Sequence, residues 1–294
     1  MNNDFHQIQF PLPKGKEFLV WLSHDVDRTK KSVWHSLYYL MMNRDMYHLK
    51  TMFSNDNPYW NFYRTMNLES KYSAKSTFFF LNESLRINVF NPKSIILSKG
   101  RYNVNSSEIQ SIIREIDSSG WEIGLHGSYG SYNDVELLDK EKNVLEQILG
   151  HSVNGTRQHY LNIDIPKTWR IQKSTGLKYD STFGLKNNVG IHPEYFKPFK
   201  PFKDSNFIVF PLVVMDGYLG KIANSEYAAK KIIDDLIAEC KVKGAILSVL
   251  WHNRSLNELE FPFYWNIYEY ILETTIAENG AFILPMDIIN SSKK

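Results

Sequence analysis

A single cysteine, Cys240, stands in a chain of 294 residues. One thiol closes no internal disulfide and builds no structural zinc site of several thiolates, so any metal must be held by histidine and carboxylate. An excess of one charge is also missing. The 34 basic and 32 acidic residues are scattered along the chain, the formal net charge is +2, and no basic stripe marks nucleic acid or an anionic membrane as a partner. No stretch approaches the roughly 20 apolar residues of a membrane span. The opening MNNDFHQIQFPLPKGKEF lacks a basic segment followed by an apolar run. Together these features lead us to expect a cytoplasmic protein with a small neutral or mixed-charge partner. Repeats and low-complexity tracts are absent, and no glycine-rich turn follows the first apolar run, which disfavours a dinucleotide-binding enzyme.

What is present is apolar content, 43% of residues against 22% charged, enough to bury a large core and to set global disorder aside. Runs rich in β-branched and aromatic residues recur at 17–23, 75–81, 121–125, 207–214, 245–251 and 281–284. Several are almost wholly apolar, as strands buried on both faces are. Helical patterns lie between them. Ser106 or Ser107 precedes Ile109, Ile112, Ile113 and Ile116, with Gly120 after them, and Asp134 opens a segment closed by Gly150. Residues 225–243 carry Tyr227, Ile232, Ile233, Leu236, Ile237 and Cys240 on one face before Gly244, so Cys240 reads as a core residue and not a nucleophile. A further helix is predicted at 262–278.

Strands alternating with helices imply parallel pairing with right-handed crossovers, in an open doubly wound sheet or a closed barrel; periodicity does not choose. Two regions interrupt the rhythm. Residues 34–72, rich in Tyr, Met and Asn, form a connection long enough for helices of its own or a functional loop. Residues 185–204, with Pro193, Pro198, Pro201 and several aromatics, read as an ordered loop that either covers a barrel mouth or packs on the body.

The chemistry gathers where apolar runs end. LVWLSHDVDR places His24, Asp25 and Asp27 at the end of the first strand, and alternation points the two acids together and His24 elsewhere. Carboxylates held close repel unless a cation lies between them or one keeps a proton, an arrangement suited to a metal ligand beside a general base. WEIGLHGSYGSYND brings His126 to a second strand end, and neutral imidazole is a common ligand for zinc and similar ions. GTRQHYL sets Arg157 and His159 two apart, and arginine beside a carboxylate fixes its orientation. Asp180 in LKYDSTFG, Asp216 in FPLVVMDGYL and His252 in AILSVLWHN complete the set. The C-terminal edge of a parallel sheet, where Asp25, Asp27, His126, Asp216 and His252 are all predicted to lie, is where α/β folds build active sites.

Taken together, SHDVDR, EIGLHGSY, TRQHY, YDSTFG and VLWHN resemble the successive motifs of the polysaccharide-deacetylase (NodB-homology) superfamily, carbohydrate esterase family four, from about residue 17 to 253. HDVD, STFFFL, RQHYL and PLVVMD are similar to a divergent branch linked to surface-polysaccharide synthesis. The resemblance implies a distorted parallel (β/α) barrel of seven or eight strands, a single catalytic domain over 1–294 with an inserted aromatic-rich segment at about 34–72, and a divalent metal, with zinc expected. It implies that Asp25 is the general base, Asp27 and His126 are metal ligands, Arg157 orients Asp25, and His252 is the general acid, held in its tautomer by Asp180 or Asp216. Family members carry a second histidine four residues after the first, where this chain has Gly130. His159 is the candidate replacement, with a hydrogen bond to substrate or Asp25 as its alternative role. His24, Tyr129, Tyr160 and Trp251 are candidate substrate-binding residues.

The implied reaction removes an N-acetyl or N-formyl group from an amino sugar, a small carbohydrate or glycan precursor. A hydrolase of another C–N amide on the same scaffold and a non-catalytic carbohydrate-binding protein are the rival expectations.

Overall fold

The run FLVWLSHDV is buried at every position, and a strand with no exposed face must be covered on both sides. In the computed structural model, which describes residues 5–53, 57–83, 90, 101–203 and 205–291, this run is an inner strand of one curled sheet. Its strands are β1 (His6–Gln7), β2 (Phe18–Val26), β3 (Ser76–Leu81), β4 (Glu122–Gly127), β5 (Gly155–Gln158), β6 (Tyr179–Asp180), β7 (Phe199–Lys200), β8 (Ile208–Val209), β9 (Val214–Met215), β10 (Ile246–Leu250) and β11 (Gly280–Phe282). The order is β1-β7-β8-β6-β5-β4-β3-β2-β10-β9. From β8 to β9 every ladder is parallel, whereas β1 and β7 form an antiparallel margin. β11 shares one edge of β2 with β3, pairing Phe18–Val20 while β3 pairs Leu22–Val26.

The predicted run 207–214 is not one strand but two, β8 and β9, at opposite ends of the parallel series. Pro211 lacks the N–H that a continuous inner strand needs. Around it Phe210 N–H donates to Asp180 O at 2.8 Å, and Val213 N–H donates to Ser248 O at 3.2 Å. Four residues therefore carry the chain from beside β6 to beside β10, a reach of about 14 Å at most. The two ends of the parallel series must then lie side by side, which makes the architecture a distorted (β/α) barrel closed at that seam by covalent chain.

Helices cover the outside. Ser107–Ser118 buries Ile109, Ile112, Ile113 and Ile116. In Val135–Leu149 the Asp134 side chain accepts from Leu137 N–H at 3.0 Å, and Gly150 ends the helix at a φ of 79°. In Glu226–Lys243 the residues Ile233, Leu236, Ile237 and Cys240 are buried, and burial pushes the Cys240 thiol up to about 12. Tyr227, predicted on that apolar face, is exposed instead. Tyr264–Ala277 supplies Ile267, Tyr268, Ile271 and Leu272 to the same core. Residues 34–72 fold mainly as the helices Val33–Asn43, Met46–Phe53 and Phe62–Lys71. In the 185–204 segment the aromatics pack on the body: Tyr195 and Phe199 lie within 6.2 Å of Phe183, ring centre to ring centre. No helix among the described residues is long and apolar enough to cross a membrane.

Candidate metal centre and cleft

Strand register decides which side chains meet. Asp25 pairs with Phe79, Phe79 with Gly124, Leu81 with His126, and His126 with Arg157, so residues 31 to 54 positions apart stand opposite one another on neighbouring strands. Gly124 is required where it stands, since a Cβ there would lie 2.4 Å from the Phe79 ring. That ring supports the Arg157 guanidinium, 4.6 Å from its centre. Fully buried, Arg157 donates through Nη1 to Asp25 Oδ1 and Ser23 Oγ, both at 2.9 Å, and to Ser181 through Nε and Nη2. Asp25 is thus clamped by one oxygen, and its other, Oδ2, lies 3.7 Å from His126 Nε2.

Asp27 follows the last residue of β2 and meets three imidazoles. Its Oδ1 is 3.1 Å from His126 Nε2 and 3.6 Å from His159 Nε2, and its Oδ2 is 3.5 Å from His252 Nε2. Burial opposes the charge on Asp27, but His159, His126 and His252 outweigh it and hold the carboxyl well below its usual range. His126 Nδ1–H donates to Arg157 O at 2.9 Å, since a carbonyl only accepts. In the neutral ring Nε2 is then a lone pair facing a carboxylate oxygen, two acceptors that repel unless positive charge lies between them. Burial disfavours protonation of His126, yet Asp25 and Asp27 raise its pKa all the same. The cluster draws positive charge from every direction, as a cation site does.

Asp27, His126 and His159 each offer a ligand atom within 4.8 Å of the others. Two imidazoles and a carboxylate, with one imidazole oriented by a backbone carbonyl, fit a divalent ion that keeps an open position. His159 enters through the turn His159–Leu161, where Tyr160 and Leu161 hold φ values of 59° and 51°. Two consecutive side chains in the left-handed region are uncommon and cluster at functional sites. A Cβ at Gly130 would meet Leu137 Cδ2 at 3.7 Å, on the helix side of the loop.

On the far side, His252 follows β10. Asp216, following β9, accepts from its Nδ1–H at 2.7 Å and its backbone N–H at 3.0 Å. Asp216 is therefore the partner that fixes the His252 tautomer, and Nε2 is left facing the cleft. Burial opposes the charge on His252, but Asp216 together with Asp27 and Asp25 pushes its pKa up to about 9.

Three sequence expectations need correction. Asp180 stands outside the cleft in a buried knot, accepting from Gln172 Nε2 at 2.8 Å, Thr182 N–H at 2.9 Å and Trp169 Nε1–H at 3.3 Å. His24 is fully buried on the opposite face of β2, between Trp251 O at 2.9 Å and Glu69 Oε1 at 2.8 Å, so it touches no substrate. Trp251 is likewise a core residue, packed on Tyr264 and Tyr268. Tyr160 does line the cleft, and Tyr129 stands beside it with ring centres 5.8 Å apart.

The cleft encloses about 440 Å³. Its wall includes residues that the sequence reading passed over: Arg28, Glu83, Arg101, Tyr102, Tyr218, Lys221 and Arg254. Arg28 and Arg254 are each one or two residues from a recognised position. Glu83, two residues beyond β3, accepts from Tyr129 N–H at 3.0 Å and lies 3.9 Å from His159 Nδ1. The strand-end rule that found Asp27 would have found it.

No protein-family model and no curated protein matches the sequence. Solved structures do match. A protein described as a polysaccharide deacetylase from Mycobacterium smegmatis aligns over 98% of this chain and 93% of its own, with TM-score 0.63 and 15% identity. Puue allantoinase aligns over 96% and 93%, with TM-score 0.63 and 14% identity. A protein described as a polysaccharide deacetylase from Pseudomonas aeruginosa PAO1 aligns over 95% and 92%, with TM-score 0.61 and 14% identity. At such identities the likeness is one of fold. The chain shares the fold of these structures, the distorted barrel that its motifs led us to expect.

Proposed function

We propose that this protein is a metal-dependent hydrolase that removes an N-acyl group, acetyl or formyl, from an amino sugar in surface-polysaccharide metabolism. The observation that carries the reading is the ligand set Asp27, His126 and His159, flanked by a clamped carboxylate, Asp25, and an oriented imidazole, His252. Asp27, His126 and His159 would hold a divalent ion, with zinc the expected one, that would polarise the acyl carbonyl and lower the pKa of water. Asp25, fixed by Arg157, takes the proton of the attacking water. His252, fixed by Asp216, delivers a proton from Nε2 to the departing nitrogen, so the carboxylic acid and the free amine leave with protons balanced. The surface-polysaccharide role is supported by the likeness of HDVD, STFFFL, RQHYL and PLVVMD to that branch of the superfamily.

The test is acetate and formate release from a panel of N-acyl sugars by zinc-loaded protein, with elemental analysis in parallel. About one ion per chain, lost in Asp27→Ala and His126→Ala, and acid release lost in Asp25→Asn are the expected results. A protein that takes up no divalent ion at neutral pH would overturn the reading and favour carbohydrate binding without catalysis. An allantoinase shares the fold at the same TM-score as a deacetylase, which favours hydrolysis of another C–N amide as the second reading. Metal uptake with turnover of such an amide and no acid release from any sugar would establish it.

A further inference from the structure

Four cationic side chains, Arg28, Arg101, Arg254 and Lys221, line the cleft, and among the described residues none of them forms a salt bridge. The carboxylates in the same wall are engaged elsewhere: Asp25 with Arg157, Asp27 with three imidazoles, Glu83 with the Tyr129 N–H. Nε and Nη2 of Arg101 and Nε of Arg254 are buried with no hydrogen-bond partner among the described residues. Buried donors of a charged group left unmatched are costly, so native structures place them where an acceptor binds. Arg28 and Arg254 also stand near enough for their charges to oppose each other. A divalent ion on Asp27 makes the cleft more positive still. A neutral sugar would leave this charge uncompensated.

We propose that the amino-sugar substrate carries a phosphoryl group, bound by Arg28, Arg101 and Arg254 at the rim of the cleft while the acyl group lies at the metal centre. This rests on the hydrolase reading for the acyl end only. A phosphoryl group offers three acceptor oxygens and close to two charges, which suits several guanidinium forks; a carboxylate offers two oxygens and one charge, and one fork satisfies it. The phosphoryl group belongs to a nucleoside diphosphate sugar or to a lipid-linked sugar. The lipid form merits its own arm because helices Val33–Asn43 and Met46–Phe53, which follow Arg28 in the chain, expose Trp34, Met41, Met42 and Phe53.

Calorimetric titration of the zinc-loaded Asp25→Asn protein, in which acid release is expected to be lost and the three guanidiniums are unchanged, reads binding without turnover. The probes are N-acetylglucosamine, its 1-phosphate, its uridine diphosphate, a short-chain prenyl diphosphate form, and N-acetylneuraminic acid as the carboxylate control. Phosphorylated probes should bind about 10- to 100-fold more tightly than N-acetylglucosamine, as charge-assisted bonds to one or two guanidiniums allow. Arg101→Gln and Arg254→Gln should each remove most of that advantage at wild-type metal content, which shows that the fold is kept. The prenyl or the uridine form, whichever binds more tightly, identifies the carrier. Equal affinity for neutral and phosphorylated sugars, or preference for the carboxylate, overturns the proposal. Acid release from a neutral sugar with no phosphate preference sinks this inference and leaves the hydrolase; phosphate preference without acid release from any probe does the reverse.

Discussion

Replacing His159 with alanine tests the metal centre at its least conventional point. Its Nε2 lies 3.6 Å from Asp27 Oδ1, a spacing that a shared ion spans with a bond of about 2.0 to 2.2 Å to each. Structural zinc sites bind with apparent free energies of about 10 to 16 kcal/mol over four ligands, or about 2.5 to 4 kcal/mol per ligand. Zinc affinity should therefore fall about 10²- to 10³-fold in His159→Ala. Competition with a chromophoric chelator at fixed pH reads this directly, and thermal melting gives a second measure. Zinc at a thousand times its dissociation constant stabilises by about 4 kcal/mol, and that increment in melting temperature should shrink in the variant. Restoring a histidine at the superfamily's usual position, Gly130→His, should not rescue His159→Ala, because the Cβ of residue 130 faces Leu137. Wild-type affinity in His159→Ala, or full rescue by Gly130→His, would show that the third ligand has been misassigned.

Asp216→Asn retains the shape but sets an amide N–H₂ against one of two His252 donors, so kcat should drop about 10²- to 10⁴-fold with metal content unchanged; steady-state kinetics beside elemental analysis checks this. His24→Ala leaves the fully buried Glu69 without its imidazole partner and should cost about 3 to 5 kcal/mol in urea unfolding, with KM unaltered in the folded fraction; a changed KM would return His24 to the cleft. Glu141 is buried, and burial, reinforced by the charge of Glu83, raises its pKa to about 7 from 4.5. The folded state thus keeps a proton that the unfolded chain releases above about pH 4.5, and stability should fall by about 3 kcal/mol as pH rises from there through 7. Unfolding curves across that range should be flatter for Glu141→Gln, and equal slopes would refute the assignment.

The ends of the long strands were legible because a strand buried on both faces is apolar until it stops. Asp25, Asp27, His126 and His252 stand where such runs give way to polar residues, and alternation told Asp25 and Asp27 from His24. What lies behind His24 was not legible, since Glu69 and Tyr268 come from helices 45 and 244 residues away. Neither was the choice between Asp180 and Asp216, which depends on β9 lying beside β10 in a non-sequential strand order. The 207–214 run misled because its apolar content is the same whether the chain continues along one strand or crosses between two; only Pro211 signalled the break. Arg101 and Lys221 sit outside the strand-end motifs, and nothing in their local sequence announces a shared wall.

The seam at Phe210–Val213 gives the barrel unequal sides. The donors assigned to the ion project from β2, β4 and the end of β5, strands tied through β3 by unbroken ladders, so their spacing is stiffly maintained. Asp216 begins just past the seam, where no ladder joins β8 to β9 among the described residues. The open margin is thus confined to the β8–β9 seam beside Asp216, whereas His252, carried at the end of β10, is held to β2 by a ladder from Leu19 to Ser23 and keeps its place against the clustered acids.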